Sequence, residues 1–188
     1  VRPGTLLLDM GRLTGIDINA EDMYVTVEPG VTWAQLYAAL APRGLRTPMW
    51  GPFSGLVATV GGGMSHQAVN YGSGLYGVSA ESLLCMDVIL ASGEMLSTGS
   101  AGGSNSLPFL RYYGPDLAGL FVGDAGTLGV KARITLRLMH KPAGFAGCSF
   151  GFRGSCWSLV GRTGEHWAPL GRTLGSQPNN RQTNPEKA

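Results

Sequence analysis

SGLVATVGGGMSHQAVNYGSGLYG (residues 54–77) holds seven glycines, three of them consecutive at Gly61, Gly62 and Gly63, and no Asp, Glu, Lys or Arg. The uncharged run is longer still, since nothing between Thr47 and Ala80 is formally charged. A stretch of this kind is buried, or it presses its backbone against something. Three glycines in a row permit positive φ and remove side chains that would hold a ligand away. Successive N–H groups of such a segment can cradle an anion, above all at a helix start. A pyrophosphate would suit it, with the backbone doing the binding in place of Lys and Arg. The competing explanation is close glycine packing with no ligand. The two common nucleotide signatures are missing: there is no GxxxxGK[ST], and no GxGxxG opening a helix after a strand.

The rest of the composition narrows the class. The chain has 188 residues, 44% hydrophobic and 14% charged, with 30 glycines. That is enough for a core and too apolar for a disordered solvating chain. No run of about 18 apolar residues marks a transmembrane helix. The first residues lack an apolar signal core, so the expectation is a cytoplasmic chain. Cys85, Cys148 and Cys156 follow no CxxC or Cys/His metal spacing. They read as reduced thiols, and His66, His140 and His166 as structural or solvated. Up to His140 there are 8 Lys+Arg and 10 Asp+Glu; from Lys141 onward there are 6 and 2. The later basic residues are scattered singly, which excludes a nucleic-acid stripe.

Periodicity supplies the elements. TLLLDM (residues 5–10) reads as a buried strand, and MYVTVEPG (23–30) as a half-buried strand stopped by Pro-Gly. VTWAQLYAALAPRG (31–44) offers Thr32 as N-cap with Gln35 three residues on, then Leu36 and Leu40 on an apolar face and Gly44 to close. LLCMDVILASGEMLSTG (83–99) is a strand, a turn at Ser92-Gly93 and a return strand. DLAGLF (116–121) is a short helix. LGVKARITLRLM (128–139) is a long strand with Val130, Ala132, Ile134, Leu136 and Leu138 on one face. This order predicts an α+β fold rather than a regular doubly wound sheet. Beyond Pro142, GCSFGF can begin another strand, and the stretch from Arg162 shows no core pattern.

A second glycine pattern, FVGDAGTLGVKARITL (121–136), places Gly123, Gly126 and Gly129 at intervals of three before the long strand. Taken singly, each motif has a purely structural explanation. Three in order do more. VEPGVTWAQLYAAL, then ATVGGGMSHQAVNYGSGLYGVSAESLLCMDVILASGEML, then DLAGLFVGDAGTLGVKARITLRLM resemble the FAD-linked oxidases and dehydrogenases. These have the flavin-binding domain of p-cresol methylhydroxylase and vanillyl-alcohol oxidase (PCMH-type). The resemblance is strongest to the branch with D-lactate dehydrogenases, the GlcD flavoprotein of glycolate oxidase and alkylglycerone-phosphate synthase. It covers roughly residues 6–142.

The resemblance implies a fold and a cofactor. The fold would be the second subdomain of the PCMH-type domain, a mixed or antiparallel sheet flanked by helices, and the cofactor FAD. The implied contact segments run from Pro52 through Ser54 to Thr59 with Gly61 and Gly62, then over His66, Gln67 and onward to Gly72. Tyr76 and Gly77 follow, and last come Gly123, Gly126, Thr127, Gly129 and Val130. It departs from the family in two ways. The last loop usually reads Gly-Ser-Glu-Gly, and here it is Gly123-Asp124-Ala125-Gly126, so the acidic residue sits one place early or is lost. His66 stands where a small polar residue is common. The family's N-terminal phosphate-loop subdomain is not recognisable, and its substrate domain is reduced to a possible first strand at 143–160. Residues 161–188 read as a disordered tail. No catalytic residue is assignable. The implied function is FAD binding within an oxidoreductase that oxidises a small hydroxylated substrate such as a 2-hydroxy acid. The alternative is a truncated, non-catalytic remnant with weak or no FAD binding. A reductase domain for nucleotide sugars fits less well, because its motif lacks a YGVSAE-like segment.

Overall fold

The computed structural model describes residues 4, 7–49, 51, 52, 54–144, 149–152 and 155–158. It divides into two compact units, Val1–Lys141 and Pro142–Ala188. In the first unit, strand β1 (Ile16–Asn19) pairs antiparallel with β2 (Tyr24–Val27). The Pro29-Gly30 turn then leads into helix α1 (Trp33–Leu40). Thr32 and Gln35 form the expected capping box: Gln35 N–H donates to Thr32 Oγ1 at 3.2 Å and Thr32 N–H to Gln35 Oε1 at 2.8 Å. Two N–H groups that a helix start leaves orphaned are thereby satisfied. Gly44 ends the helical run at φ 66°, and β3 (Leu45–Arg46) follows.

Helix α2 (Val60–Ser65) and the single turn α3 (Ser73–Tyr76) lie in the uncharged stretch. Next come β4 (Leu83–Ile89) and β5 (Met95–Ser97), joined by the predicted turn. Asp116 opens the short helix α4 (Leu117–Leu120) by accepting Gly119 N–H at 3.0 Å. It is held there by a two-pronged ion pair with Arg111, at 2.8 and 3.1 Å. Strand β6 (Val130–Arg137) completes a five-stranded sheet in the order β1-β2-β6-β4-β5. Every neighbouring pair is antiparallel. The two-residue strand β7 (Met139–His140) pairs with β3.

One face of this sheet is apolar. Val25 and Val27 stand opposite Leu136 and Ile134, and with Leu83, Met86 and Val88 they pack against Leu36, Leu40, Val60, Met64 and Phe121. The other face is polar: Thr26 and Thr135 share a hydrogen bond, and Arg133 pairs with Asp87. Helices on one face of an antiparallel sheet define an α+β domain, as the order of elements predicts. In the second unit β8 (Ser149–Phe152) and β9 (Ser155–Ser158) pair antiparallel, so GCSFGF does contain a strand. The stretch from Arg162 lies outside the described residues. No helix among them is long and apolar enough to cross a membrane.

Two expectations are corrected. Of TLLLDM, residues 7–10 form no strand, and Leu7 and Leu8 are 79% and 57% exposed. The edge position belongs to β1, whose Ile16 and Ile18 pack on the core. An apolar run becomes a strand only where a partner edge is available, and β2 offers its edge to β1. On β6, Ile134, Leu136 and Leu138 are buried, but Val130 and Ala132 only partly, and Lys131 is buried too. Arg133 stands opposite Asp87 and Lys131 opposite Val88, so Ala132 is an extra residue. A bulge shifts every residue before it to the other face.

The capping box makes a test. Thr32→Ala should cost about 1 kcal/mol, read as a lower urea midpoint with unchanged slope.

Candidate functional site

Helix α2 is built from VGGGMS, although each glycine is about 1 kcal/mol worse than alanine in a helix interior. Close packing explains two of the three. A Cβ on Gly61 would lie 2.7 Å from Pro29 Cβ and 2.8 Å from Pro29 O, and one on Gly63 would lie 3.3 Å from the Trp33 ring. Gly51 and Gly55 give way to the same indole, with built Cβ atoms 2.8 and 3.3 Å from Trp33 Cβ. Gly62 is different. It is exposed, and a Cβ there would meet only Thr59 Oγ1, at 3.2 Å.

The anion-cradle expectation for the triplet is not met. Val60 N–H donates to Val31 O at 2.8 Å and Gly61 N–H to Pro29 O at 3.1 Å. Gly62 N–H goes to Thr59 Oγ1 at 3.1 Å and Gly63 N–H to Thr59 O at 3.0 Å. The donors that would hold a phosphate are already engaged. The segment containing Pro52 and Ser54 is tied to α1 by Trp33 N–H to Ala58 O and Ala34 N–H to Gly55 O, at 3.2 and 3.0 Å.

The other end of α2 meets the second glycine motif. Gly123 N–H donates to Met64 O and Ala125 N–H to Ser65 O, both at 2.9 Å. His66 ends the helix and Gln67 follows it, both exposed. A Cβ on Gly123 would lie 3.2 Å from Gln67 Oε1. Gly62, His66, Gln67 and Gly123 are thus gathered around one short helix. The loop itself is bent hard, with Gly123, Ala125 and Gly126 at φ 74°, 52° and 76°. For Ala125 this left-handed conformation costs about 1 kcal/mol.

Asp124 holds the bend. Its carboxylate accepts Gly126 N–H at 3.0 Å, Leu128 N–H at 3.3 Å and Lys131 Nζ at 2.7 Å. Thr127 turns inward as well, donating through both N–H and Oγ1 to Asp124 O, at 3.0 and 2.7 Å. Burial alone would raise the Asp124 carboxyl, but the Lys131 ammonium and the two N–H donors outweigh it and hold it below the usual range. Asp116 is likewise held low, chiefly by its hydrogen bond from Arg111. Gly129 has a packing reason, since a Cβ would lie 2.5 Å from Val88 Cγ1. Val130 begins β6. Tyr76 lies under the Arg46 guanidinium, 5.5 Å from its ring centroid, with its hydroxyl 3.2 Å from Arg46 Nη2. Gly77 follows at φ 79°.

Sequence reasoning missed two residues. Asn70 is 5% exposed, and among the described residues neither carboxamide atom has a hydrogen-bond partner. A buried amide left unpaired is costly, which makes it a candidate for a polar ligand edge; the unbroken uncharged run hid it. Lys131 was hidden by the strand pattern. No group of three or more His, Cys, Asp or Glu side chains among the described residues can hold a metal.

Comparison with known proteins gives the family. A model described as "FAD binding domain" matches residues 1–99. The probable mitochondrial D-lactate dehydrogenase of Danio rerio is 38% identical over 138 residues, covering 72% of this chain and 26% of that protein. Glycolate oxidase subunit GlcD of Bacillus subtilis is 32% identical, covering 68% and 26%. The solved structure of p-cresol methylhydroxylase with substrate bound superimposes with a TM-score of 0.63 at 28% identity, covering 73% and 27%. The chain therefore belongs to the FAD-binding domain family, with the PCMH-type fold, and FAD is its cofactor. It spans about a quarter of the length of these relatives.

The exposed face fits the ring of such a cofactor better than its phosphates. Leu56, Val57, Val69, Leu75 and Leu128 are 82%, 77%, 73%, 79% and 52% exposed. At Gly126 a Cβ would meet nothing within 4 Å. An uncharged apolar face with an unpaired carboxamide suits a flat ring with a polar edge.

Two outcomes are expected. Gly61→Ala should destabilise the chain by about 1–3 kcal/mol through overpacking. Gly62→Ala should leave stability within about 1 kcal/mol of wild type, because helix propensity offsets the contact with Thr59; thermal melts without FAD distinguish the pair. The two lowered carboxyls contribute stability fully above the unfolded value, near ~4, and lose it as pH falls through their lower folded values. An Asp116→Asn/Asp124→Asn chain should therefore be less stable at neutral pH yet lose less stability on acidification, read from urea midpoints across pH.

Proposed function

We propose that this chain is the FAD-binding portion of a flavin-dependent oxidoreductase that oxidises a small hydroxylated substrate such as a 2-hydroxy acid. The observation that carries it is the union at α2 of the uncharged stretch and the 123–130 loop through Gly123 N–H to Met64 O and Ala125 N–H to Ser65 O. These bonds make one continuous surface of two segments whose glycines leave room for a ring. The D-lactate dehydrogenase and glycolate oxidase relatives support the substrate class. When bound, FAD supplies the hydride-accepting chemistry. The residues of this chain bind and orient it: Gly62 and Gly126 allow close approach, Leu56, Val57 and Leu128 cover apolar ring surface, and Asn70 offers a donor and an acceptor. Substrate contacts and the proton acceptor come from a further domain, for which residues 143–160 are the proposed beginning. A cytoplasmic location rests on the sequence reading of reduced thiols.

The engaged N–H groups at the start of α2 favour a second reading, a remnant with weak FAD binding, because they leave the phosphates without a grip there. The visible spectrum of the purified chain with added FAD separates the two. Flavin bands that travel with the protein through gel filtration are expected. A folded chain that stays colourless would establish the remnant.

A further inference from the structure

Lys131 is the second residue of a core strand, yet its side chain is 3% exposed, and that of its partner Asp124 is 2% exposed. A buried ion pair seldom adds net stability over an apolar pair, so its presence calls for another role. The geometry supplies one. The extra residue Ala132 turns Lys131 from the polar face, where Arg133 and Thr135 point, to the face of Val88. The ammonium then reaches Asp124 at 2.7 Å, and Asp124 in turn gathers Gly126 N–H and Leu128 N–H. Among the hydrogen bonds of this loop, these are the ones that connect its far half, 126–128, to the sheet by way of a side chain. The near half is attached to α2 through Gly123 and Ala125. Without the carboxylate, the left-handed turn at residues 123–126 would be left with its backbone bonds alone to oppose its strain.

We propose that the Asp124–Lys131 pair is a positioning element that locks the 123–129 loop against α2 and thereby sets FAD affinity. The pair touches no ligand; it acts through the loop, by keeping Gly126 and Leu128 in the shape that meets the ring. The inference rests on the FAD reading above and adds the device that shapes the loop. Its consequence follows from population arithmetic: a loop that adopts the binding shape a tenth of the time binds about tenfold more weakly.

The test uses the whole 188-residue chain and four variants: Asp124→Asn, Lys131→Met, the two combined, and Asp116→Asn as a control that loses an ion pair outside the loop. FAD affinity is read by flavin fluorescence titration and loop order by amide hydrogen exchange. Each single variant at the pair is expected to weaken FAD about tenfold and to speed exchange at Gly126 and Leu128, with Val25 and Ile134 unchanged. The combined variant, which leaves no buried charge unpaired, should lose less than the product of the singles; it also serves if a single variant fails to fold. The control should leave FAD affinity unchanged. Unaltered exchange at Gly126 and Leu128 would overturn the lock. Faster exchange with unaltered FAD affinity would overturn the positioning role, as would an equal loss in the Asp116 control. A folded wild-type chain that ignores FAD overturns the FAD reading and the affinity half of this inference together, while the exchange data still report separately on the lock.

Discussion

The first unit depends on how closely the starts of two short helices approach each other. Trp33 opens α1 and is 4% exposed. Its indole is enclosed by chain that has given up side chains to admit it, at Gly51, Gly55 and Gly63, while Gly61 lets α2 settle on Pro29. A large aromatic carries much of the energy of a small core, and here its surroundings are peptide backbone as much as side chains. That answers why residues 54–77 carry no charge. A lysine or glutamate at Gly55, Gly61 or Gly63 would have to displace the indole or the proline before it could reach water.

The same approach explains what was legible in the sequence. Capping at Thr32 and Gln35, the turn at Ser92-Gly93 and the apolar positions 134, 136 and 138 are local, and local patterns carry their own signal. The bulge at Ala132 is not local. It arises where β6 meets β4, and it decides that Lys131 points inward while the strand pattern says outward. The strand expected at residues 5–10 failed for the related reason that composition cannot say which edge a strand will find. The helical state of VGGGMS was equally hidden, because glycine argues against a helix until Pro29 and Trp33 are brought beside it.

The candidate site was legible as segments and not as roles. Glycine was the signal for cofactor contact, yet glycines have two uses here. Gly61 and Gly129 are needed because protein atoms occupy the place of a Cβ; Gly62 and Gly126 face outward. A sequence shows all four alike. It also cannot show that the N–H groups of the triplet are spent inside the fold. The structure accordingly moves the emphasis from a phosphate cradle to a ring-covering face with one buried, unpaired carboxamide at Asn70.

The two ends of α2 then differ in kind. The N-terminal end is held by packing that cannot vary much: Pro29, Trp33 and a threonine cap fix it within tenths of an ångström. The C-terminal end is held by two backbone bonds to a strained loop, and that loop is shaped by a carboxylate whose partner comes from the sheet. A surface that must receive a flat cofactor needs definite shape at low cost in protruding side chains. Glycine provides the low profile but leaves the shape undetermined, since the residue that permits a left-handed turn also permits many other conformations. Asp124 and Lys131 provide the shape from beneath, out of contact with anything bound above. A loop of this composition depends on such buried support, and the chain places it one residue beyond a bulge, where a side chain can change faces without disturbing the strand that follows.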